Sequence, residues 1–236
     1  MKALILAAGL GSRLKSYTAN LPKAMVKVNG EAIIDYQLAA LKENGIENIV
    51  LVLGYQGEVL KRYLLQQYQS QFSFQFYDNL NYQNTNSAYS FYQAREGVAH
   101  QAYLHLNCDN IFSSEVIEQL LNSPADDAII VDRGVDLKDN MEQVEVNNHI
   151  ITHMQNTFNP LAIGKAMGIA KISPSLCDWL IARISKSIAE NQLDENFYGK
   201  LREAVPLFNL QAVEVNEAIY EVNTVEDLHG VLPLSA

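Results

Sequence analysis

The chain lacks most of the features that mark a specialised class of protein. Among its 236 residues only Cys108 and Cys177 are cysteines. They stand far apart and without metal-ligand spacing, which excludes a disulfide framework. Long apolar runs are missing as well. After Lys2 the stretch Ala3-Leu4-Ile5-Leu6-Ala7-Ala8 ends at six residues, too short for a signal core or a membrane span. Basic residues are scarce and never clustered: 17 Lys and Arg face 27 Asp and Glu, a net charge of −10. An acidic surface repels phosphate backbones and anionic lipid, so neither nucleic acid nor membrane is expected as a partner. His149 and His153 have helix-like spacing but fall in a predicted strand, so no zinc site is expected. Repeats, low-complexity stretches and linkers are absent too. The composition reads as a soluble, cytoplasmic chain.

What is present is an ample core and a regular alternation. Apolar residues make up 48% of the chain, enough to fill a domain that buries about 70% of its unfolded surface. Residues 2–8 form an aliphatic run ending at Gly9, the pattern of a buried parallel strand feeding a loop. Residues 32–44 set Ile33, Tyr36, Leu38, Ala40 and Leu41 at helical spacing, and Asn44-Gly45 supplies the stop. Strands are expected at 48–53, 72–77 and 102–106, with helices at 59–69 and 86–97 between them. The second half is less regular. It predicts strands at 128–132, 144–146, 168–172, 212–215 and 219–222, and a hairpin turning at Asn147-Asn148 and returning over 149–153. Helices are expected at 175–189, 196–204 and 225–229. The fold class is α/β: a Rossmann-like, mixed but mainly parallel sheet with helices on both faces. Sites in such sheets lie beyond the carboxyl ends of the strands.

The sharpest motif sits at the first of those ends, Leu6-Ala7-Ala8-Gly9-Leu10-Gly11-Ser12-Arg13-Leu14, followed by Leu21-Pro22-Lys23. Gly9 and Gly11 let the backbone turn tightly and approach a ligand. Loop N–H groups of this kind converge on oligophosphates, and Arg13 and Lys23 add the positive charge the rest of the chain lacks. A dinucleotide fingerprint requires a third glycine where Leu14 stands, and a Walker loop requires a terminal Gly-Lys-Ser/Thr. Neither is present. Leu53-Gly54-Tyr55 closes the second strand without the acidic residue a nicotinamide enzyme needs.

Residues 6–30 instead resemble the signature of the sugar-phosphate nucleotidyltransferase family, whose members join a nucleoside triphosphate to a phosphate-bearing acceptor and release pyrophosphate. The resemblance implies the nucleotidyltransferase fold over a single domain, 1–236, with a nucleotide-binding half at 1–110 and an acceptor-binding half at 111–236. It implies nucleotide contacts from Leu6, Ala7, Ala8, Gly9, Gly11 and Ser12, with Arg13 and Lys23 both binding and catalytic. Cys108-Asp109-Asn110 matches the family's Mg²⁺-binding aspartate, which makes Asp109 a metal ligand. Asn223, in Tyr220-Glu221-Val222-Asn223-Thr224, occupies the second ligand position, usually Asp; an amide oxygen is an acceptable hard ligand.

The run Asn84-Thr85-Asn86-Ser87-Ala88-Tyr89-Ser90-Phe91 resembles the phosphocholine and 2-aminoethylphosphonate cytidylyltransferases. Asn84, Asn86 and Ser87 offer donors and acceptors that read a base edge, and Asn86 or Ser87 also suits a helix cap. CTP is therefore the expected nucleotide and a small phosphate or phosphonate the expected acceptor. A sugar-1-phosphate enzyme using UTP, GTP or dTTP, and a non-catalytic nucleotide binder, are the alternatives. An acceptor with a cationic head calls for an anion and aromatic faces. Asp132, Phe197, Tyr198 and Glu221 are the candidates. Where relatives carry a middle-strand Lys this chain has Glu142-Gln143, leaving Lys165 or Lys171 to take its place.

Overall fold

The computed structural model describes residues 1–234. The chain opens with β1 (Lys2–Ala7), then two short 3-10 turns, Ser12–Thr18 and Lys23–Met25, and the small ribbon β2 (Lys27–Val28) and β3 (Glu31–Ala32). Next come α1 (Ile33–Glu43), β4 (Asn48–Leu53), α2 (Gly57–Tyr68), β5 (Ser73–Asp78), α3 (Ser87–Gln93), α4 (Arg95–Val98) and β6 (Tyr103–Asn107). The second half runs β7 (Asn110–Ile111), α5 (Ser114–Asn122), β8 (Ala128–Asp132), β9 (Gln143–Asn147), β10 (Ile150–Gln155) and β11 (Gly164–Ile172). It closes with α6 (Pro174–Ala189), α7 (Phe197–Ala204), β12 (Gln211–Glu214), β13 (Tyr220–Glu221) and α8 (Val225–Gly230).

Nine strands form one sheet in the order β5-β4-β1-β6-β11-β8-β12-β10-β9. β1, the most apolar segment, lies between β4 and β6 and pairs in parallel with both. Only β11 and β10 run against the other strands. Because side chains alternate along a strand, Ala3, Ile5 and Ala7 face one core layer and Leu4 and Leu6 the other. The first layer is covered by α1, α2 and α5 through Leu38, Leu41, Leu60, Leu64, Val116 and Leu120. The second is covered by α3, α6 and α7 through Phe91, Leu176, Leu180 and Leu201. Helices thus lie on both faces, as the alternation predicts. A third, smaller cluster packs Leu14, Val26 and Ile33 against Ile111, Val222 and Leu228. It clamps the glycine-loop segment to the C-terminal strand and helix.

Four elements depart from expectation. The helix predicted over 86–97 breaks at Ala94 (φ −92°, ψ 8°) into α3 and α4. The break settles Gly97 onto β4 and β5, where a Cβ would lie 3.0 Å from the Tyr77 ring and 3.1 Å from Val50. α5 has no counterpart in the sequence reading. β11 begins at Gly164 rather than 168 and bulges between Ala166 and Ala170, where Gly168 adopts φ +75°. Residues 219–222 do not finish the sheet: β13 leaves it and pairs with β7. Among the described residues no helix is long and apolar enough to cross a membrane.

Candidate active site

The glycine loop leaves the carboxyl end of β1 and doubles back over the end of β4. The Tyr55 amide donates to the Ala8 carbonyl at 3.1 Å. Gly54 makes this approach possible, since a Cβ there would stand 2.4 Å from the Ala8 oxygen. Gly11 adopts φ +62°, and its carbonyl accepts from the Leu14 amide and the Thr18 hydroxyl, each at 2.9 Å. The turn is thereby closed before Arg13 and Lys23 are presented.

Lys23 lies in the short turn after Pro22 and is buried. Its ammonium donates to Asp109 Oδ2 at 2.7 Å and to Asn223 Oδ1 at 2.9 Å. Arg13 donates to the same Asn223 oxygen at 2.7 Å. Three distant segments therefore converge on one point. The Asp109 turn is held from below by Gln37, fully buried on α1, whose amide donates to the carbonyls of Asn107 and Asn110, each at 2.8 Å. The Val222 amide donates to the Asp109 carbonyl at 2.9 Å. Asn223 stands at the start of α8, where Asp227 accepts from the amides of Asn223 and Thr224.

The second oxygen of Asp109, Oδ1, is buried and has no hydrogen-bond partner. A buried carboxylate oxygen left unpaired is costly, and the hard amide oxygen of Asn223, which accepts from Arg13 and Lys23, shares the Lys23 ammonium with the same carboxylate. Both suit a divalent cation that takes oxygen ligands. Among the described residues no group of three His, Cys, Asp or Glu side chains assembles. Such a cation would draw its remaining ligands from phosphate and water. The Cys108 thiol beside Asp109 is pushed up to about 12 by burial, with the neighbouring carboxylate adding to it, so it stays protonated at neutral pH.

Two cavities meet over this cluster. One, of about 370 Å³, runs along the glycine loop past Leu6, Ala8, Gly9, Gly11 and Ser12 to Tyr82, Thr85 and Ser90. The other, of about 350 Å³, extends toward Asn140, Glu142, Lys165, Tyr198 and Glu221. Arg13, Asn86, Ser87, Asn107, Asp109 and Asn223 line both. Asn86 caps α3, its side-chain oxygen accepting from the Ser87 amide at 2.8 Å.

Most of the expected site residues therefore come together, and five do not. Ala7 faces the opposite core layer because strand side chains alternate, while Leu6 and Ala8 line the cavity. Asn84 is exposed and spends its side-chain amide on Asn81 at 2.9 Å; Thr85 lines the cavity beside it, its hydroxyl accepting from Asn79 and donating to the Asn81 carbonyl, each at 2.9 Å. Asp132 lies outside the second cavity and closes its own turn, accepting from the Gly134 amide at 2.7 Å. Lys171 donates to the Ser123 carbonyl at 2.8 Å. Because β11 is antiparallel to β6, its start, not its end, reaches the carboxyl ends of the parallel strands. Six residues at about 3.3 Å each separate Lys171 from Lys165. Lys165 is the lysine in the cavity, paired with Glu221. Glu142 lines the same cavity 3.3 Å from Arg202; burial raises its carboxyl and Arg202 opposes that rise. Phe197 is not in the cavity but beneath it, stacked on His105 with ring centres 3.8 Å apart. Tyr82, Thr85, Ser90 and Asn107 were not singled out from the sequence; Ser90, one helical turn beyond Asn86, was the one within reach of periodicity.

The MobA-like NTP transferase domain family matches residues 3–178, and the chain belongs to it. It is 36% identical over 139 residues to the CTP:phosphoglutamine cytidylyltransferase of Campylobacter jejuni, covering 57% of this chain and 53% of that protein. It is 44% identical over 99 residues to the choline-phosphate cytidylyltransferase of Streptococcus pneumoniae, covering 42% and 41%. The chain thus spans about half the length of the curated relatives it matches or less. Among solved structures, the CTP:phosphocholine cytidylyltransferase LicC of S. pneumoniae superposes with a TM-score of 0.79 at 24% identity, covering 97% of this chain and 96% of that one. The inositol-1-phosphate CTP transferase of T. maritima superposes with a TM-score of 0.80 at 21% identity, covering 96% and 90%. At these identities the superpositions show the shared α/β fold.

Proposed function

We propose that this protein is a cytidylyltransferase that joins CTP to a small phosphate- or phosphonate-bearing acceptor and releases pyrophosphate. The observation that carries this reading is the Lys23–Asp109–Asn223 cluster, whose Asp109 and Asn223 lie on the wall shared by two cavities. A triphosphate along the glycine loop and an acceptor phosphate in the second cavity meet there. The relatives named above use CTP, and Asn86 and Ser87, which line the first cavity, carry the polar side chains that read a cytosine edge in this proposal.

The reaction is an in-line displacement. An acceptor oxygen, already ionised at neutral pH, attacks the α-phosphorus; the bond to the bridging oxygen breaks and pyrophosphate leaves with its electron pair. No general base is needed. The protein aligns two anions and offsets their repulsion, using Arg13, Lys23 and the amides of the glycine loop. Asp109 and Asn223 would hold Mg²⁺, which when bound supplies positive charge between the phosphates.

The test couples pyrophosphatase to phosphate detection for each triphosphate against an acceptor panel. CTP is expected to support turnover and, in Mg²⁺, to raise Tm more than UTP, GTP or ATP at equal concentration. UTP is the sharp comparison, because it keeps the size of cytosine and inverts the N4 donor to an acceptor. Equal stabilisation by UTP removes the cytidylyl assignment and leaves the nucleotidyltransferase one. Preference for UTP, GTP or dTTP with sugar 1-phosphates moves the protein to the sugar-1-phosphate branch, and nucleotide binding without turnover makes it a non-catalytic binder.

A further inference from the structure

The second cavity differs from a site for a quaternary ammonium. Beyond the six residues it shares with the nucleotide cavity, its polar wall consists of Asn140, Glu142, Lys165, Asn196, Tyr198 and Glu221. One aromatic ring, that of Tyr198, lines it; Phe197, which could have supplied a second, is committed to His105 and Phe91. A cation without N–H groups is stabilised by several aromatic faces, and those are not here.

Hydrogen-bonding groups are here instead: Glu221 is paired with Lys165 and Glu142 lies 3.3 Å from Arg202, and each carboxylate keeps further acceptor capacity. The Tyr198 side chain is 6% exposed, yet its hydroxyl has no partner. Glu142 and Glu221 line the same cavity as Tyr198; burial raises the phenol pKa, and the two carboxylates raise it further. Asn196 uses its side-chain oxygen to cap α7, accepting from the Gly199 amide at 2.5 Å, and leaves its NH₂ for the cavity. Carboxylates and a phenol oxygen accept; an amide NH₂ and the phenol O–H donate. A ligand that leaves such groups unpaired after displacing water binds more weakly than one that pairs them.

We propose that the acceptor carries N–H or O–H groups, as a primary amine, amide or hydroxyl, on the end opposite its phosphate, and that Tyr198, Glu142 and Glu221 select for them against a quaternary ammonium. The proposal rests on the cytidylyltransferase reading and names the substrate class of the same site. Tyr198 is the discriminating group because Tyr198→Phe removes one hydroxyl from the wall and leaves Glu142 and Glu221 in place.

The test holds the phosphate constant and varies the head: phosphoethanolamine, its N-methyl and N,N-dimethyl derivatives, and phosphocholine, with glycerol 3-phosphate as a hydroxyl-bearing acceptor. With CTP and Mg²⁺, kcat/KM is expected to fall at least tenfold from the primary amine to the trimethylated one. In Tyr198→Phe that ratio is expected to shrink toward one while the affinity for CTP is unchanged. Phosphocholine used as well as or better than phosphoethanolamine overturns the proposal and leaves the cytidylyltransferase reading standing. An unchanged ratio in Tyr198→Phe removes Tyr198 as the selector. No pyrophosphate from any acceptor overturns the underlying reading instead.

Discussion

The Ser87 hydroxyl accepts a hydrogen bond from the Phe197 amide at 2.8 Å, across 110 residues of sequence. On either side of it the Asn86 amide donates to the Leu193 carbonyl and the Ala88 amide to the Glu195 carbonyl, each at 3.1 Å. The edge of the nucleotide cavity is thereby laced to the segment that carries Asn196 and Tyr198 into the acceptor cavity. Ser87→Ala leaves the Phe197 N–H without its partner, and is expected to lower unfolding free energy by about 1–3 kcal/mol. Chemical denaturation measures it; an unchanged midpoint means that the lacing holds without Ser87.

Asp109→Ala is expected to lower kcat at least a hundredfold with little loss of stability, because a ligand at a strand end carries function rather than packing. Chelation of divalent cations is expected to abolish turnover in the parent protein. Asn223→Asp restores the commoner ligand type and is expected to stay active. A folded Asp109→Ala protein working at near-normal rate removes the metal assignment.

Arg13 and Lys23 converge on the Asn223 oxygen at 2.7 and 2.9 Å. Arg13→Ala and Lys23→Ala are each expected to reduce kcat/KM by roughly 10²-fold, about 2.7 kcal/mol of transition-state stabilisation. Steady-state kinetics on the folded variants decides. Two variants indistinguishable from the parent would reduce the glycine loop to a structural turn.

His105 is fully buried on β6, and burial holds its pKa down from the ordinary 6.5 to about 3. The unfolded chain therefore binds a proton that the folded one refuses between those values. Its share of stability is complete above pH 6.5 and is lost as pH falls toward 3, by up to about 1.4 kcal/mol per pH unit. His105→Phe keeps a ring against Phe197 and is expected to flatten the stability profile between pH 6 and 4. Parallel profiles for the two proteins would show that His105 contributes no proton linkage.

The core and the glycine loop were legible because each is written in adjacent residues. An aliphatic run with no polar side chain, such as that of β1, has to lie where both sheet faces are covered. The glycines, Arg13 and Pro22-Lys23 similarly declare a close approach to anions. α5 escaped because nothing in the reading weighed Val116, Ile117 and Leu120 as one face of a nine-residue helix. The Asp109 turn's dependence on Gln37 escaped because a lone Gln among apolar residues carries no local signal.

What the sequence by itself determined was most of the strands and helices and the place of the glycine loop, since periodicity and glycine spacing act within about ten residues. Which distant side chains meet was decided by tertiary structure alone. The reversed insertion of β11 between β6 and β8 brought Lys165 rather than Lys171 to the site, and the departure of β13 from the sheet set Glu221 beside it. Strand order and direction depend on how whole layers bury their faces against one another, and no short stretch of residues encodes that choice.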